Sequence, residues 1–230
     1  MTTLTQHHQP IPNPNYPDPK RSPHCVILLA AGQSSRLGQP KQLLEIQRQP
    51  LLRHMAQLAL GTAPVSVSVV IPQTYPDIGQ FVDGLAVDLV PNPTPETGMA
   101  LSLSLAIDAM QDKLIEPATT LPPDPEVIIM GVDQVRLTST HLQQLLTQYQ
   151  ACENTLVTAS QYAGVIGLPL VVRWSQLLAW QPQLTGDKGL RKLIRALPES
   201  SYSTIDLPEL AHDIDTPEQY EEARQQGWLD

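Results

Sequence analysis

The stretch CVILLAAGQSSRLGQPKQLL, residues 25–44, decides the fold, because an apolar run passes directly into a loop of small and basic residues. Residues 25–30 have apolar side chains on both faces, which is typical of a central strand that helices cover on each side. The loop contains Gly32 and then two cations, Arg36 and Lys41. Open parallel sheets bind ligands at the carboxyl ends of their strands, so this loop predicts a ligand site.

Apolar runs alternate with amphipathic stretches along the rest of the chain, which predicts an α/β protein with a mostly parallel central sheet and helices on both faces. The predicted strands are 25–30, 66–72, 87–92, 126–133, 155–160 and 168–173; the predicted helices are 41–60 (divided near Pro50), 76–85, 99–114, 139–151, 175–180 and 189–197. Thr138 or Ser139 is the expected N-cap of the helix at 139–151. We interpret residues 25–230 as one domain, since no linker divides them.

Composition excludes several classes of protein. Residues 1–24 are rich in Pro, His and Asn without apolar periodicity, which predicts a disordered tail. The net charge of −9 argues against a general nucleic-acid binder, although a few cations can still bind a small anion. Two cysteines are too few for a disulfide framework, and no apolar run approaches the length of a membrane span. We therefore expect a soluble cytoplasmic protein with reduced thiols.

The loop after the first strand has the residue types that bind an oligophosphate. Residues 30–32 have little or no side chain, so a ligand can approach their backbone N–H groups closely. Ser34 adds a hydroxyl donor, Arg36 a planar fork that suits phosphate oxygens, and Lys41 a mobile charge. Ordinary turns with solvated cations are the alternative that the residues alone leave open. Neither the Walker loop nor the dinucleotide fingerprint is present.

Asp133 follows an apolar run, at the carboxyl end of a predicted central strand. An ionised carboxylate there is costly to desolvate unless it is paired or bound to a cation. Beside phosphates the natural cation is Mg²⁺, which binds through one or two carboxylates and ligand oxygens. A turn cap or an ion pair with a basic side chain would also explain this residue.

The segment LAAGQSSRLGQPK (29–41) resembles the signature L-A-A-G-x-S-x-R-M-G-x-x-K of the MobA-like nucleotidyltransferases, especially their molybdenum cofactor cytidylyltransferase branch. Further segments resemble the family's motifs in the same order: NPTPETGMALSL (92–103), DQVRLT (133–138), GVIGLPLVVR (164–173), LTGDKGLRKLI (184–194) and DIDTPEQ (213–219). This chain departs from the patterns at Leu37 for Met, Val135 for Pro, Leu168 for His and Leu190 for Ala. The resemblance covers nearly all of residues 25–225.

This resemblance implies a Rossmann-like nucleotidyltransferase fold and a Mg²⁺-dependent reaction. A nucleoside monophosphate, with CMP from CTP favoured, would pass to a phosphate-bearing acceptor, and pyrophosphate would be released. LAAG, rather than the L-A-G-G of guanylyl-transferring relatives, points to CTP, and molybdopterin is then the expected acceptor. A molybdoenzyme client is a candidate partner, whereas no nucleic acid or membrane is expected.

The resemblance also assigns roles to individual residues. Nucleotide binding falls to Leu29, Ala30, Ala31, Gly32, Ser34, Arg36, Lys41, Asn92, Gly98 and Ser102, and acceptor binding to Gly167, Gly186, Asp187 and Arg191. Asp133 and Asp215 would hold the metal, and Arg36, Lys41 and Asp133 would be catalytic. The turn at 186–191 leads into a helix whose free N-terminus could bind an anion, although an ordinary capped helix explains it equally well.

Three features of the sequence allow more than one interpretation. Leu168 stands where the family has His, so the acceptor could instead be a sugar phosphate or another small phosphate. Some relatives are described as NAD(P)H-dependent oxidoreductases or as accessory proteins that handle the cofactor, which is a different class of function. The TPEQ of residues 216–219 is explained locally as a capping box that starts a helix, whereas Asp213 and Asp215 are not.

Overall fold

The computed structural model describes residues 22–116, 121–152, 154–186 and 189–230. Its strands are β1 (His24–Leu29), β2 (Glu45–Ile46), β3 (Gln49–Pro50), β4 (Ser66–Pro72), β5 (Asp88–Asn92), β6 (Glu126–Gly131), β7 (Val157–Tyr162), β8 (Val165–Arg173) and β9 (Tyr202–Asp206). Its α-helices are α1 (Leu51–Leu60), α2 (Met99–Ile115), α3 (Ser139–Ala151), α4 (Trp174–Trp180), α5 (Gly189–Arg195) and α6 (Pro217–Gln225). Residues 1–21 of the predicted tail lie outside these ranges, as does Asp187.

The described strands form a seven-stranded sheet in the order β5-β4-β1-β6-β8-β7-β9, with β2 and β3 pairing separately. β1 lies between β4 and β6, and it runs parallel to both. Strand β8 runs antiparallel to β6 and β7, while β9 is parallel to β7. The predicted α/β class with a mostly parallel sheet is therefore confirmed. Because β8 is reversed, its amino-terminal residues lie beside the carboxyl end of β6.

Helices cover both faces of the sheet. Side chains alternate along a strand, so Val26 and Leu28 of β1 belong to a core shared with α1 and α3. Cys25 and Ile27 point to the opposite face, in a core shared with α2 and α4. Every residue of β1 and β6 is buried, as the apolar sequences of both strands predict.

Residues 41–50 do not form the predicted α-helix. Lys41–Leu43 form a 3-10 turn, and β2 and β3 then make a short hairpin before α1 begins at Leu51. Gln47 and Arg48 have positive φ angles of 51° and 61°, the backbone of a tight two-residue hairpin turn. Pro50 explains the late start of α1, because the residue before a proline is driven away from helical geometry.

Other elements also differ from the sequence prediction. Strand β1 begins at His24, one residue earlier than expected, and the His24 ring is buried 2.8 Å from the Thr62 hydroxyl. Strand β6 ends at Gly131, so Asp133 lies in the loop that follows. Strand β9 was not predicted, since YSTID has little apolar periodicity, and it forms by pairing with β7.

None of the described helices combines the length and the apolar character needed to cross a membrane. The two cysteines are both free thiols, with Cys25 buried in the sheet and Cys152 partly exposed just after α3.

Candidate functional site

A cavity of about 360 Å³ opens where β1 and β6 end. Its walls come from the loop after β1, the start of α2, the loop after β6, the start of β8 and the segment before α6. The lining residues are Leu29, Ala31, Gly32, Gln33, Ser34, Ser35, Arg36, Lys41, Pro95, Glu96, Gly98, Met99, Ser102, Gly131, Val132, Asp133, Leu168 and Asp215. The cavity therefore lies at the carboxyl edge, where the sequence predicts a ligand.

The loop after β1 forms one wall with its backbone. A Cβ atom on Gly32 would have no neighbour within 4 Å, so the space above this residue is open to a ligand. Ser34 adopts a positive φ of 52°, and its carbonyl accepts hydrogen bonds from the N–H groups of Leu37 and Gly38. The Ser34 hydroxyl oxygen accepts the Lys41 N–H at 3.1 Å, which fixes the start of the 3-10 turn and leaves the hydroxyl proton free to donate.

Two cations and two carboxylates meet at the mouth of the cavity. The Lys41 ammonium lies 3.1 Å from Asp133 Oδ2 and also bonds to Asp215 Oδ1. Arg36 Nη2 lies 2.6 Å from Asp215 Oδ2. The Lys41 side chain is only 11% exposed, whereas the two carboxylates are about one third exposed and the Arg36 side chain is 71% exposed. Lys41 thus forms the inner, enclosed part of this cluster and Arg36 its outer part.

The opposite charges in this cluster shift the pKa values of Lys41 and Asp215 towards their charged forms. Burial alone would lower the pKa of Lys41, but the adjacent carboxylates of Asp133 and Asp215 outweigh it and raise that pKa above its ordinary value. For Asp215, burial would raise the pKa, but Lys41 and Arg36 outweigh it and hold that pKa below its usual range. Both groups are therefore charged at neutral pH.

Asp213 has the opposite electrostatic environment. Burial raises its pKa to about 6, and the negative charges of Asp133 and Asp215 add to this shift. Lys41 and Arg191 act against the shift without cancelling it. Asp213 is therefore the carboxyl of this region that holds its proton most readily.

The donor set at the mouth fits a divalent cation that arrives with phosphates. Asp133 and Asp215 both contact one ammonium group, so their oxygens converge on a single cation position. No cluster of three or more His, Cys, Asp or Glu side chains able to hold a metal occurs among the described residues. Mg²⁺ is commonly held by one or two carboxylates together with substrate phosphates, which matches two converging carboxylates beside an anion-binding loop.

The wall formed by α2 contains two of the predicted nucleotide-binding residues. Gly98 precedes the helix with a φ of 106°, a backbone conformation that favours glycine. Ser102 lines the cavity in the first turn of α2. Asn92 does not line it: its side chain is fully buried, donates to the Ser102 hydroxyl at 2.9 Å and accepts from the Thr94 N–H. Ala30 is likewise buried behind the lining residues.

The predicted acceptor residues are divided between two places. Gly167 and Arg191 line a narrow apolar cleft of about 40 Å³, which shares Met99 and Leu168 with the large cavity. Gly186 lines neither space, and its carbonyl accepts a hydrogen bond from Ala100 N–H at 3.0 Å. Asp187 lies outside the described residues.

The family model for the MobA-like NTP transferase domain matches residues 26–201. The chain belongs to this family. A search of curated proteins finds no match. Solved structures share the fold of this MobA-like domain, among them a homolog of Mycobacterium tuberculosis Rv0371c from Mycobacterium sp. strain JC1, with a TM-score of 0.70 and 24% identity over 90% of this chain and 98% of the other.

Two further neighbours of the MobA-like domain contain ligands. Rv0371c from Mycobacterium tuberculosis H37Rv in complex with manganese has a TM-score of 0.65 and 20% identity, over 87% of this chain and 97% of the other. CMP:2-keto-3-deoxy-manno-octonic acid synthetase complexed with CTP has a TM-score of 0.65 and 14% identity, over 89% of this chain and 98% of the other. Because these sequence identities are 24% or lower, the three similarities establish a shared fold and nothing further.

Three polar residues near the cavity of the MobA-like domain were not predicted from the sequence. Gln42 and Gln134 are buried; Gln42 donates to the carbonyls of Ala30 and Gly32, and Gln134 donates to that of Leu168 in β8. The Tyr162 hydroxyl lies against Gly167, where an added Cβ would approach it to 2.4 Å. Burial raises the pKa of Tyr162 to about 12, and the charge of Asp213 adds to the shift. A single sequence gives no signal for these residues, because their polarity predicts exposure and their burial depends on distant segments.

The segment before α6 positions Asp215 through the predicted capping box. Thr216 Oγ1 accepts the N–H of Gln219 at 3.3 Å, and the Gln219 side chain accepts the N–H of Thr216 at 3.0 Å. The same Gln219 oxygen accepts the N–H of Asp215 at 2.8 Å. The cap thus orients the backbone of Asp215 as well as starting the helix.

Proposed function

We propose that this MobA-like domain is a Mg²⁺-dependent nucleotidyltransferase that transfers a nucleoside monophosphate from a nucleoside triphosphate to a phosphate-bearing acceptor. CTP is the favoured donor and a molybdopterin-type compound the favoured acceptor, and the enzyme acts in the cytoplasm. One observation carries the proposal: Arg36, Lys41, Asp133 and Asp215 meet at the mouth of a cavity that is walled by the backbone of a small-residue loop.

The cavity has the size and the donors for a nucleotide. Its volume of about 360 Å³ lies within the range of about 300–1,000 Å³ that is usual for small-molecule sites. The triphosphate would lie along residues 31–34, which line the cavity and offer backbone N–H groups and the Ser34 hydroxyl as donors. Arg36 would contact the outer phosphates, since its side chain is the most exposed of the cluster, and Lys41 would neutralise charge near the α-phosphate. The base and sugar would lie towards Gly98 and Ser102.

In the reaction, an oxygen of the acceptor phosphate forms a bond to the α-phosphorus of the triphosphate. The bond between that phosphorus and the oxygen bridging to the β-phosphate breaks, and its electron pair leaves with pyrophosphate. The acceptor phosphate is already ionised, so no side chain has to remove a proton. The protein then contributes position and positive charge, which Lys41 and Arg36 supply where negative charge develops on the leaving group.

Asp133 and Asp215 would hold the divalent cation, since their oxygens converge on one position. When bound, such a cation would supply positive charge that offsets the negative charge developing on pyrophosphate as it leaves. A neighbour of the same fold is solved with manganese, which is consistent with a divalent cation here.

The choice of CTP and molybdopterin rests on the sequence LAAG at residues 29–32 and on the resemblance to the cytidylyltransferase branch. A neighbour of the same fold is complexed with CTP, so the fold can accommodate that nucleotide. The acceptor would approach past Gly167 and Arg191, because these residues line the cleft that joins the nucleotide cavity. Leu168 makes this entrance apolar where relatives are expected to have a histidine.

Pyrophosphate release tests the proposal. Purified protein is incubated with molybdopterin and with CTP, GTP, ATP or UTP, each with and without Mg²⁺. We expect release with CTP and metal, and its loss in Asp133→Ala with an unchanged circular dichroism spectrum. Asp88→Ala is the matched control, because Asp88 pairs with Lys113 outside the cavity. Wild-type turnover in Asp133→Ala would remove Asp133 from the mechanism, and a metal-independent thermal shift with NADPH, without one for any triphosphate, would favour the oxidoreductase class.

A further inference from the structure

Gln42 is the most buried polar side chain beside the loop that follows β1, with 1% of its surface exposed. It follows Lys41 in the 3-10 turn Lys41–Leu43. Its side-chain amide nitrogen donates to the carbonyl of Ala30 at 2.6 Å and to the carbonyl of Gly32 at 3.0 Å. Both amide protons of the Gln42 side chain are therefore donated to carbonyls of the same loop, two residues apart.

These two bonds determine which way the loop presents its backbone donors. In a planar trans peptide the C=O and the following N–H point in opposite directions. Holding the Ala30 carbonyl against Gln42 therefore turns the N–H of Ala31 away from Gln42, and holding the Gly32 carbonyl does the same for the N–H of Gln33. Ala31 and Gln33 both line the cavity.

The two N–H groups are not occupied by an acceptor among the residues that the structure describes. Within the described part of the chain, neither the N–H of Ala31 nor that of Gln33 donates to a protein acceptor. The N–H of Ala30, in contrast, is occupied by the Val70 carbonyl at 2.9 Å. Backbone N–H groups that point into one concavity attract anions.

The Oε1 atom of Gln42 shows that packing alone does not explain a glutamine at this position. This atom is buried and has no hydrogen-bond partner among the described residues. A buried acceptor without a partner is destabilising, and an apolar side chain of similar length would avoid that cost. A glutamine here is explained by the two bonds that its nitrogen makes to the loop.

We propose that Gln42 is a positioning residue that holds the N–H groups of Ala31 and Gln33 in place to bind the oligophosphate of the substrate. This assignment rests on the proposed function in that the ligand is a triphosphate, but it concerns phosphate binding and not transfer. Because Gln42 is the next residue after Lys41, the same turn holds the backbone donors and the ammonium group in one arrangement. Gln42 itself does not touch the ligand.

The test compares Gln42→Met with Gln134→Met, a matched control. Gln134 is also a buried glutamine whose nitrogen donates to a backbone carbonyl, that of Leu168 at 2.6 Å, and whose Oε1 lacks a partner among the described residues. Calorimetric titration with inorganic tripolyphosphate should show binding weakened about ten-fold or more in Gln42→Met, since hydrogen bonds to charged groups are the strong ones. Gln134→Met should bind tripolyphosphate as the wild type does.

Kinetic constants and NMR chemical shifts provide further tests, because a purely structural role of Gln42 would not change them in the same way. In Gln42→Met the KM for the triphosphate should rise more than kcat falls, because Lys41 remains in place. In the wild type, the amide protons of Ala31 and Gln33 should shift downfield when tripolyphosphate is added, a measurement that needs no variant to fold. Unshifted amides, or equal affinity of Gln42→Met and wild type, would overturn the positioning role.

The outcomes separate the two proposals. Equal weakening in both glutamine variants would indicate general loosening of the fold and would also refute the role of Gln42. A wild type that binds tripolyphosphate through these amides but releases no pyrophosphate with any nucleotide would refute the proposed function alone. A wild type that does not bind tripolyphosphate would refute both.

Discussion

Replacing Lys41 by Met tests whether Asp133 and Asp215 form a cation site. The lysine ammonium now lies between the two carboxylates, at the position where a divalent cation would contact both. Methionine keeps the apolar stem of the side chain and removes the charge. The two carboxylates would then lie near each other without a cation between them, so the variant should be less stable and should attract a metal ion more strongly.

The expected loss of unfolding free energy in Lys41→Met follows from how exposed the three charged side chains are. Removing one partner of a fully buried ion pair costs about 3–5 kcal/mol, whereas a fully exposed pair contributes about 0.2–1 kcal/mol. The Lys41 side chain is 11% exposed and the carboxylates are 35% and 33% exposed, which lies between these limits. We expect Lys41→Met to lose about 2 kcal/mol of unfolding free energy, or about 4–8 °C in Tm for a chain of this size.

The assay is thermal unfolding with and without Mn²⁺, together with Mn²⁺ titration followed by electron paramagnetic resonance in the absence of nucleotide. Lys41→Met should bind Mn²⁺ about ten-fold more tightly than the wild type, a gain of about 1.4 kcal/mol, and Mn²⁺ should restore much of the lost Tm. Lys113→Met is the control, because it also removes a lysine that pairs with an aspartate, Asp88, but at the surface. If Lys41→Met binds Mn²⁺ no better than Lys113→Met, the two carboxylates do not form a cation site.

Three further predictions follow from single contacts. Thr216→Ala removes the side-chain cap of α6 and should cost about 1 kcal/mol, or about 2–4 °C in Tm, and an unchanged melting curve would show that Gln219 alone maintains the cap. Burial raises the pKa of Cys25 to about 12, so a thiol reagent at pH 8 should label Cys152 in the native protein and both cysteines only after denaturation; rapid labelling of two thiols in the native protein would contradict the burial of Cys25. Burial lowers the pKa of His54, so the unfolded chain binds more protons than the folded protein just below the ordinary value of 6.5. The free energy of unfolding should therefore fall as the pH drops from about 7.5 to about 5.5, and urea titrations should show a shallower fall in His54→Gln.

The features that the sequence predicts well are those with a local physical cause. The apolar runs of residues 25–30 and 127–131 can be buried only as central strands, since they present no polar face to solvent. The capping box of Thr216 and Gln219 depends on four consecutive residues, and it forms as predicted. The order of the glycine loop, Arg36 and Lys41 likewise predicts an anion site after the first strand, and the structure places these residues around one cavity.

The features that the sequence predicts poorly depend on packing between distant segments. Residues 41–50 have helical periodicity, but hairpin backbone geometry at Gln47 and Arg48 and the restriction before Pro50 prevent a helix there. The five residues of β9 carry too weak a pattern to predict a strand, and their pairing with β7 supplies the missing hydrogen bonds.

By itself, the sequence determines the central strands, the capped final helix and the loop of small and basic residues after the first strand, because each follows from neighbouring residues. Only the tertiary structure decides that Lys41 lies between Asp133 and Asp215, residues that are 92 and 174 positions away along the chain, and that Gln42 is buried against the loop. The reason is physical: the charge or polarity of a side chain is set by its own chemistry, but its burial, its partners and its pKa are set by groups that the sheet brings to the same edge.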